Sequence, residues 1–233
     1  MSVIDVIWKL IRYNLKIVFG NKFVYFLSAA IIFFLLFTGI NIFEDQSPSE
    51  ETVYYLLLFP GILLVFYPAT FGIQNDEDTR ILEILFGIPN YRFKVWGVRL
   101  LLMYLITAVM LFFLSYFETL AVYPTNVPEM VFQLMFPVFF LGCFSFMVST
   151  MVRSGNGTAV VMIVVGMVFW ISAGILEESP WNIFLNPFSQ PPNDMNEVLW
   201  EGILFRNRAY LTAGTVMTLL YGLMNLQKRE KFV

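Results

Sequence analysis

Histidine is absent from this chain, and cysteine occurs once, at Cys143. A metal site built from imidazoles and thiolates is thereby excluded. So are an intrachain disulfide, a histidine-based catalytic triad and an HExxH metalloprotease. Cys143 lies in an apolar run and reads as a small core residue. Charge is scarce as well. Asp, Glu, Lys and Arg make up 13% of the 233 residues, against about a quarter in soluble domains. No G-x-x-x-x-G-K-[ST] segment is present, so the chain has no P-loop of its own. Gly155-Asn156-Gly157-Thr158 reads as a tight turn without the lysine of a phosphate cradle. A cleavable signal peptide is not expected either. Charges are spread through residues 3–20 where a signal would show a basic head and a clean apolar stretch. The net charge of -3 points to no particular partner.

What is abundant is apolar surface, with 58% hydrophobic residues and a mean hydropathy of +0.73. One aqueous core could not hide so much, so a bilayer must solvate part of it. Six stretches lack any Asp, Glu, Lys or Arg, near 23–43, 53–75, 100–117, 130–152, 158–176 and 209–226. Each is long enough to cross about 30 Å of hydrocarbon. The fold class expected is an all-α integral membrane protein with six transmembrane helices over 23–233. No ionisable residue lies in the middle of any stretch, which speaks against a pump that carries protons or sodium on its own carboxylates. It also removes an aspartyl intramembrane protease. Pro60, Pro68 and Pro137 fall inside spans, where they can kink a helix.

The loops alternate in charge. Lys9, Arg12, Lys16 and Lys22 precede the first span, and the loop after it holds Glu44, Asp45, Glu50 and Glu51. Arg80, Arg92, Lys94 and Arg99 follow the second span, Glu118 and Glu129 the third, and Arg153 the fourth. The tail carries Lys228, Arg229 and Lys231. The positive-inside rule then places both termini cytoplasmic. The 177–208 loop lies outside, and Arg206 and Arg208 break the pattern there as a polar anchor for the sixth span. Within 177–208, the aromatic and Pro-punctuated stretch 180–188 and the amphipathic stretch 194–205 fit short helices in the outer leaflet. An ordinary surface loop anchored by Trp181 and Trp200 fits equally.

Two amphipathic segments flank the first spans. In residues 1–22, Asp5, Lys9, Arg12 and Lys16 fall on one helical stripe, with Ile4, Ile7, Trp8, Ile11, Leu15 and Val18 around the rest. This reads as an interfacial helix on the inner leaflet with Trp8 at headgroup depth; a helix packed on a soluble partner is the alternative. The second segment, the loop 76–96, is richer than a membrane turn requires. Asp76, Glu77 and Asp78 open it, Thr79 to Leu85 can form a short amphipathic helix, Gly87 and Pro89 stop it, and Arg92 and Lys94 close it. Asp76 suits a helix cap, and its acidic neighbours suit the positive end of the helix dipole.

Taken together, six spans, an N-terminal amphipathic helix and a helical second loop resemble the membrane subunit of ABC-2 type transporters, over the whole chain. The residues that carry the resemblance are Glu77, Thr79, Glu83, Leu85, Pro89, Arg92, Gly97 and Arg99. Two departures stand out. Asp78-Thr79 replaces the family's Gly-Thr with Arg80-Ile81 inserted after it, and the Lys after Gly97 is replaced by Arg99 two positions on. Asn207-Arg208 and the basic ending 228–232 are also similar to the family.

The resemblance implies that the second loop is a coupling helix contacting a P-loop ATPase subunit through Asp76, Glu77, Asp78, Thr79, Arg80, Ile81, Leu82, Glu83, Leu85, Pro89 and Arg92. A surface helix lying on the inner leaflet is the other reading of these residues. The resemblance further implies a non-catalytic permease of an exporter in a bacterial inner membrane, facing a second permease copy. ATP and magnesium would sit on the partner, with no cofactor on this chain and no nucleic acid. The Phe-rich spans favour a lipid, glycan-lipid or hydrophobic drug as substrate. A membrane scaffold that recruits a soluble protein, or an ATP-independent transporter or channel, are the alternatives.

Overall fold

The computed structural model describes residues 23–43, 48–78, 80, 92–191 and 195–226. The expected interfacial helix with Asp5, Trp8, Lys9, Arg12 and Lys16 lies outside these residues. So do Thr79, residues 81–91, including Ile81, Leu82, Glu83, Leu85 and Pro89, and the basic tail. Among the described residues the structure is all-α, with six helices and no strand. They are α1 (Phe23–Phe43), α2 (Glu50–Asp78), α3 (Val98–Ala121), α4 (Val127–Val152), α5 (Gly155–Ile175) and α6 (Glu197–Asn225). A six-residue π-helical turn, Arg92–Gly97, leads into α3.

Helices α1 to α5 are long and apolar enough to cross a membrane. The shortest have 21 residues, about 32 Å at 1.5 Å per residue, which matches the hydrocarbon thickness. Large apolar side chains stand open on them, including Phe43 at 88% and Ile175 at 82% exposure. Water would not tolerate so much open apolar surface. The architecture is that of a multi-pass membrane protein.

The bundle is organised around α4. Helices α2, α4 and α6 run parallel in matched register. Thr70 bonds Ser145 at 2.8 Å, Arg208 Nε donates to Gln133 Oε1 at 2.9 Å and Asn225 Nδ2 donates to the Thr150 carbonyl at 2.7 Å. Each of these pairs is separated by 75 residues. Ser149 Oγ adds a bond to the Thr70 carbonyl at 3.0 Å. Glycines permit the close approach. A Cβ on Gly61 would meet Val138 at 3.0 Å, and one on Gly222 would meet the Phe146 ring at 2.8 Å. Helix α3 runs antiparallel to α4, with Tyr104 against Gly142 and its hydroxyl donating to the Phe139 carbonyl at 3.1 Å. Cys143, expected as core, is 1% exposed and contacts the same hydroxyl.

Several boundaries differ from the sequence expectation. Gly155 to Thr158 are not a loop but the first turn of α5. The turn itself is Arg153-Ser154. Arg153 takes a left-handed φ of 62° to end α4, and Ser154 caps α5 by accepting the Gly157 N–H at 3.2 Å. Gly155 is required there, since a Cβ would lie 2.3 Å from Phe71. The short helix expected at 194–205 and the span expected at 209–226 are one continuous helix, α6. No outer helix forms over 176–191 either; that stretch is a chain of turns. Both proline-bearing helices run through their prolines unbroken.

Close packing at α4 gives a direct test. Gly222→Ala forces Phe146, fully buried and packed on Trp96 at 5.4 Å between ring centroids, and should destabilise the bundle by about 1–3 kcal/mol. Gly39→Ala meets no atom within 4 Å and should leave stability unchanged or slightly raised by helix propensity. Thermal midpoints of both variants in mild detergent check this; an unaltered midpoint for Gly222→Ala contradicts the packing argument.

Candidate functional site

The two ends of the bundle differ in charge. One end gathers the start of α2, the end of α3, the start of α4, the turns at 176–191 and the start of α6. It carries Glu50, Glu51, Glu118, Glu129, Glu177, Glu178, Glu197 and Glu201, against the two bases Arg206 and Arg208 of α6. The other end gathers the end of α2, the π turn, and the α4–α5 turn. It carries Arg80, Arg92, Lys94, Arg99 and Arg153 beside Asp76, Glu77 and Asp78.

The polar segment singled out in the sequence leaves the bundle at the base-bearing end. Helix α2 continues through Asp78, and Arg80, with φ 56°, turns the chain out of it while its N–H bonds the Glu77 carbonyl at 2.9 Å. Asp76 therefore belongs to the last turn of α2, and the helix it was expected to cap lies outside the described residues. It is 2% exposed and forms an ion pair with Arg99 of α3. Arg99 was expected in a loop; it is buried because α3 starts earlier than its charge-free stretch. The guanidinium lies 5.0 Å from the centre of the Trp96 ring, a cation–π contact. Trp96 packs in turn on Phe146 and on Gly72, where a Cβ would touch the ring at 3.3 Å. Among the described residues the Arg99 Nε and Trp96 Nε1 hydrogens have no acceptor.

This arrangement clamps the last turn of α2 to α3 and α4, just before Arg80 turns the chain outward. Glu77, Asp78 and Arg80 are exposed beyond the clamp. The described structure thus separates the predicted contact residues into one buried latch, Asp76, and three outward-facing charges. The backbone of Arg92 opens the π turn on the return.

The acid-bearing end holds polar groups that the sequence reading missed. Arg208 lies well inside α6 and is not an exposed anchor. Beyond Gln133 it donates to Asn207 Oδ1 at 3.0 Å and to the Leu185 carbonyl at 3.3 Å, with Phe136 5.4 Å away. Asn207 Nδ2 donates to the Pro180 and Asn182 carbonyls at 3.0 and 2.7 Å. Asn182 and Asn186 each fold an Asx turn onto a phenylalanine N–H two residues on, at 3.0 and 2.9 Å. Asn186 also ties the turn to the Glu51 carbonyl at 3.1 Å. The segment is therefore a buried plug carrying Phe184 and Leu185 in the core. Trp181 remains exposed and stacks on Tyr210 at 4.4 Å. The sequence signal was the repeated Asn-x-Phe at 182–184 and 186–188.

Glu118 is the second missed residue. It was read as a loop acid but sits in the last turn of α3, fully buried, bonded to Thr38 Oγ1 of α1. Among the described residues its Oε2 and the Ser115 Oγ have no partner. Buried carboxylates of this kind in membrane helices mark pathways or essential structure.

No protein-family model, curated protein or solved structure matches the chain. The functional reading therefore rests on the residues themselves.

The latch gives its own test. Asp76→Ala leaves a buried arginine uncompensated and should cost about 3–5 kcal/mol. Joining it with Arg99→Met removes both charges and should recover most of the loss. Thermal midpoints of the singles and the double in detergent decide the matter; a double no better than Asp76→Ala would show that the pair is not coupled.

Proposed function

We propose that this chain is the permease subunit of an ABC-2 type exporter in a bacterial inner membrane, with both termini cytoplasmic and α6 as a sixth span. In this reading the segment 76–96 docks on a separate P-loop ATPase that binds ATP and magnesium, and a second permease copy faces this one across the substrate path. The chain itself supplies no catalytic residue; its contribution is to bind substrate differently in two states. The observation that carries the reading is the Asp76–Arg99 latch, set one residue before the exposed Glu77, Asp78 and Arg80. A force applied to the outward segment reaches α2 and α3 together, because a buried pair does not yield as a flexible loop does. In the docking reading, Ile81, Leu82 and Leu85 form an apolar knob for a groove on the ATPase, and Glu83 meets a base there.

A second reading, an ATP-independent transporter, draws on Glu118 and its unpartnered oxygen. One experiment separates the two. The tagged chain, extracted from its native membrane in mild detergent, should bring down a P-loop ATPase in stoichiometric amount. Polar substitution of Ile81, Leu82 and Leu85 should release it. Glu83→Ala should lower transport and substrate-stimulated ATP hydrolysis about ten-fold, the equivalent of one interfacial charge contact, with membrane insertion intact. Reproducible absence of the ATPase from the folded, intact chain, with transport abolished by Glu118→Gln, favours the second reading.

A further inference from the structure

Two cavities meet at the acid-bearing end of the bundle. The first, of about 640 Å³, has Glu51, Glu177 and Glu178 in its wall together with Tyr55, Trp170 and Trp200. No lysine or arginine lines it. The second, also about 640 Å³, extends between α1, α2, α4 and α5 and is almost entirely apolar, with Phe33, Phe59, Phe66, Met162 and Met167 among its walls. Its one hydroxyl besides Tyr55 is Ser145, already bonded to Thr70. Tyr55, Trp170 and Phe184 line both cavities, so the two adjoin across these three side chains.

The chemistry of the joint site is asymmetric. Three carboxylates with no base among them create a negative potential at one end, and three electron-rich rings beside them add cation–π attraction. Trp200 is 6% exposed, and its indole N–H has no acceptor among the described residues. The other end offers only hydrocarbon and aromatic faces, which reward burial of a bulky apolar body at roughly 25 cal/mol per Å². The three carboxylates disfavour an anion in the first cavity, with Arg208 held on the carbonyl of the wall residue Leu185. A neutral lipid gains nothing from its charge.

We propose that these cavities form one binding site for a cationic amphiphile, an organic cation whose positive centre sits among Glu51, Glu177 and Glu178 and whose apolar body fills the space beside Gly166. This deepens the export reading by naming the substrate class and rests on that reading only for transport; binding itself needs no ATPase.

Tetraphenylphosphonium and tetraphenylborate test it, having the same shape and opposite charge. Binding of radiolabelled tetraphenylphosphonium to the full chain in phosphatidylcholine nanodiscs, with empty discs subtracted, should be saturable. Tetraphenylborate at equal concentration should not displace it. Each of Glu51→Gln, Glu177→Gln and Glu178→Gln should weaken binding about three- to five-fold, as for partly exposed charge pairs, and the triple variant roughly 30- to 100-fold. Gly166→Leu, at a position with no atom within 4 Å, should abolish binding with all three carboxylates in place. All variants should keep the parent's thermal midpoint. Absence of saturable binding, equal affinity in the triple variant, or displacement by tetraphenylborate would each overturn the proposal. None of these outcomes bears on whether an ATPase copurifies, so the site and the export reading fail separately.

Discussion

Lipid gives helices no hydrophobic reason to prefer one another, so a membrane bundle must be held by close contact and by polar groups that find partners. In this chain that constraint falls on α4. Its hydroxyl and amide side chains reach α2 on one side and α6 on the other at the same 75-residue offset. Glycines on the neighbours remove the Cβ atoms that would otherwise hold Val138 and Phe146 away. Interhelical bonds of this sort average about 0.6 kcal/mol each in membranes. Their larger effect is on register, because sliding α6 by one residue would separate Gln133 from Arg208 and Asn225 from the Thr150 carbonyl in a low dielectric.

The cavities follow from how α5 is attached. It is fixed at the base-bearing end, where Gly155 packs under Phe71 and its N–H bonds Gln74. At the acid-bearing end, Asn182 reaches the Ala173 carbonyl at 3.5 Å and Trp170 packs on Phe184 at 5.9 Å between centroids. Between these points Phe169 packs against Phe140 and Phe144, while Gly166, where an added Cβ would meet no described atom within 4 Å, lines the apolar cavity. The turns at 176–191 close that slot at the acid-bearing end with carboxylates and aromatic rings.

Where the chain crosses hydrocarbon was legible because charge is rare and its absence is long. The first charge-free stretch coincides with α1, and the second, fourth and fifth fall short of α2, α4 and α5 by a few residues. Charges inside the end turns were read as loop because sequence shows the cost of burying Asp76, Arg99 or Glu118 but not the partner that offsets it. Asp76 and Arg99 are 23 residues apart, and Thr38 and Glu118 are 80 apart. No local pattern pairs them. The break before the sixth span failed for the same reason. Arg206 and Arg208 looked like a boundary, yet Arg208 meets Gln133 and the Leu185 carbonyl inside the bundle, and α6 passes through.

Helix α2 is the element that connects the two ends. Its first turns supply Glu51 and Tyr55 to the cavity, and its last turn supplies Asp76 to the latch. Pro60 and Pro68 lie between them, so two rungs of the backbone ladder are missing in the stretch that joins cavity to latch. Such a helix bends at those positions more readily than elsewhere. Gly61 sits next to the first proline, and a Cβ there would meet Val138 and Leu111 at 3.0 and 3.3 Å, so that part of α2 lies close against α3 and α4. Thr70, between Pro68 and the latch, is bonded to Ser145 and Ser149 of α4, so displacement of the latch loads α4 as well as α3. In the export reading, motion from the base-bearing end therefore reaches the cavity wall through α2 together with the α4 register to which it is bonded.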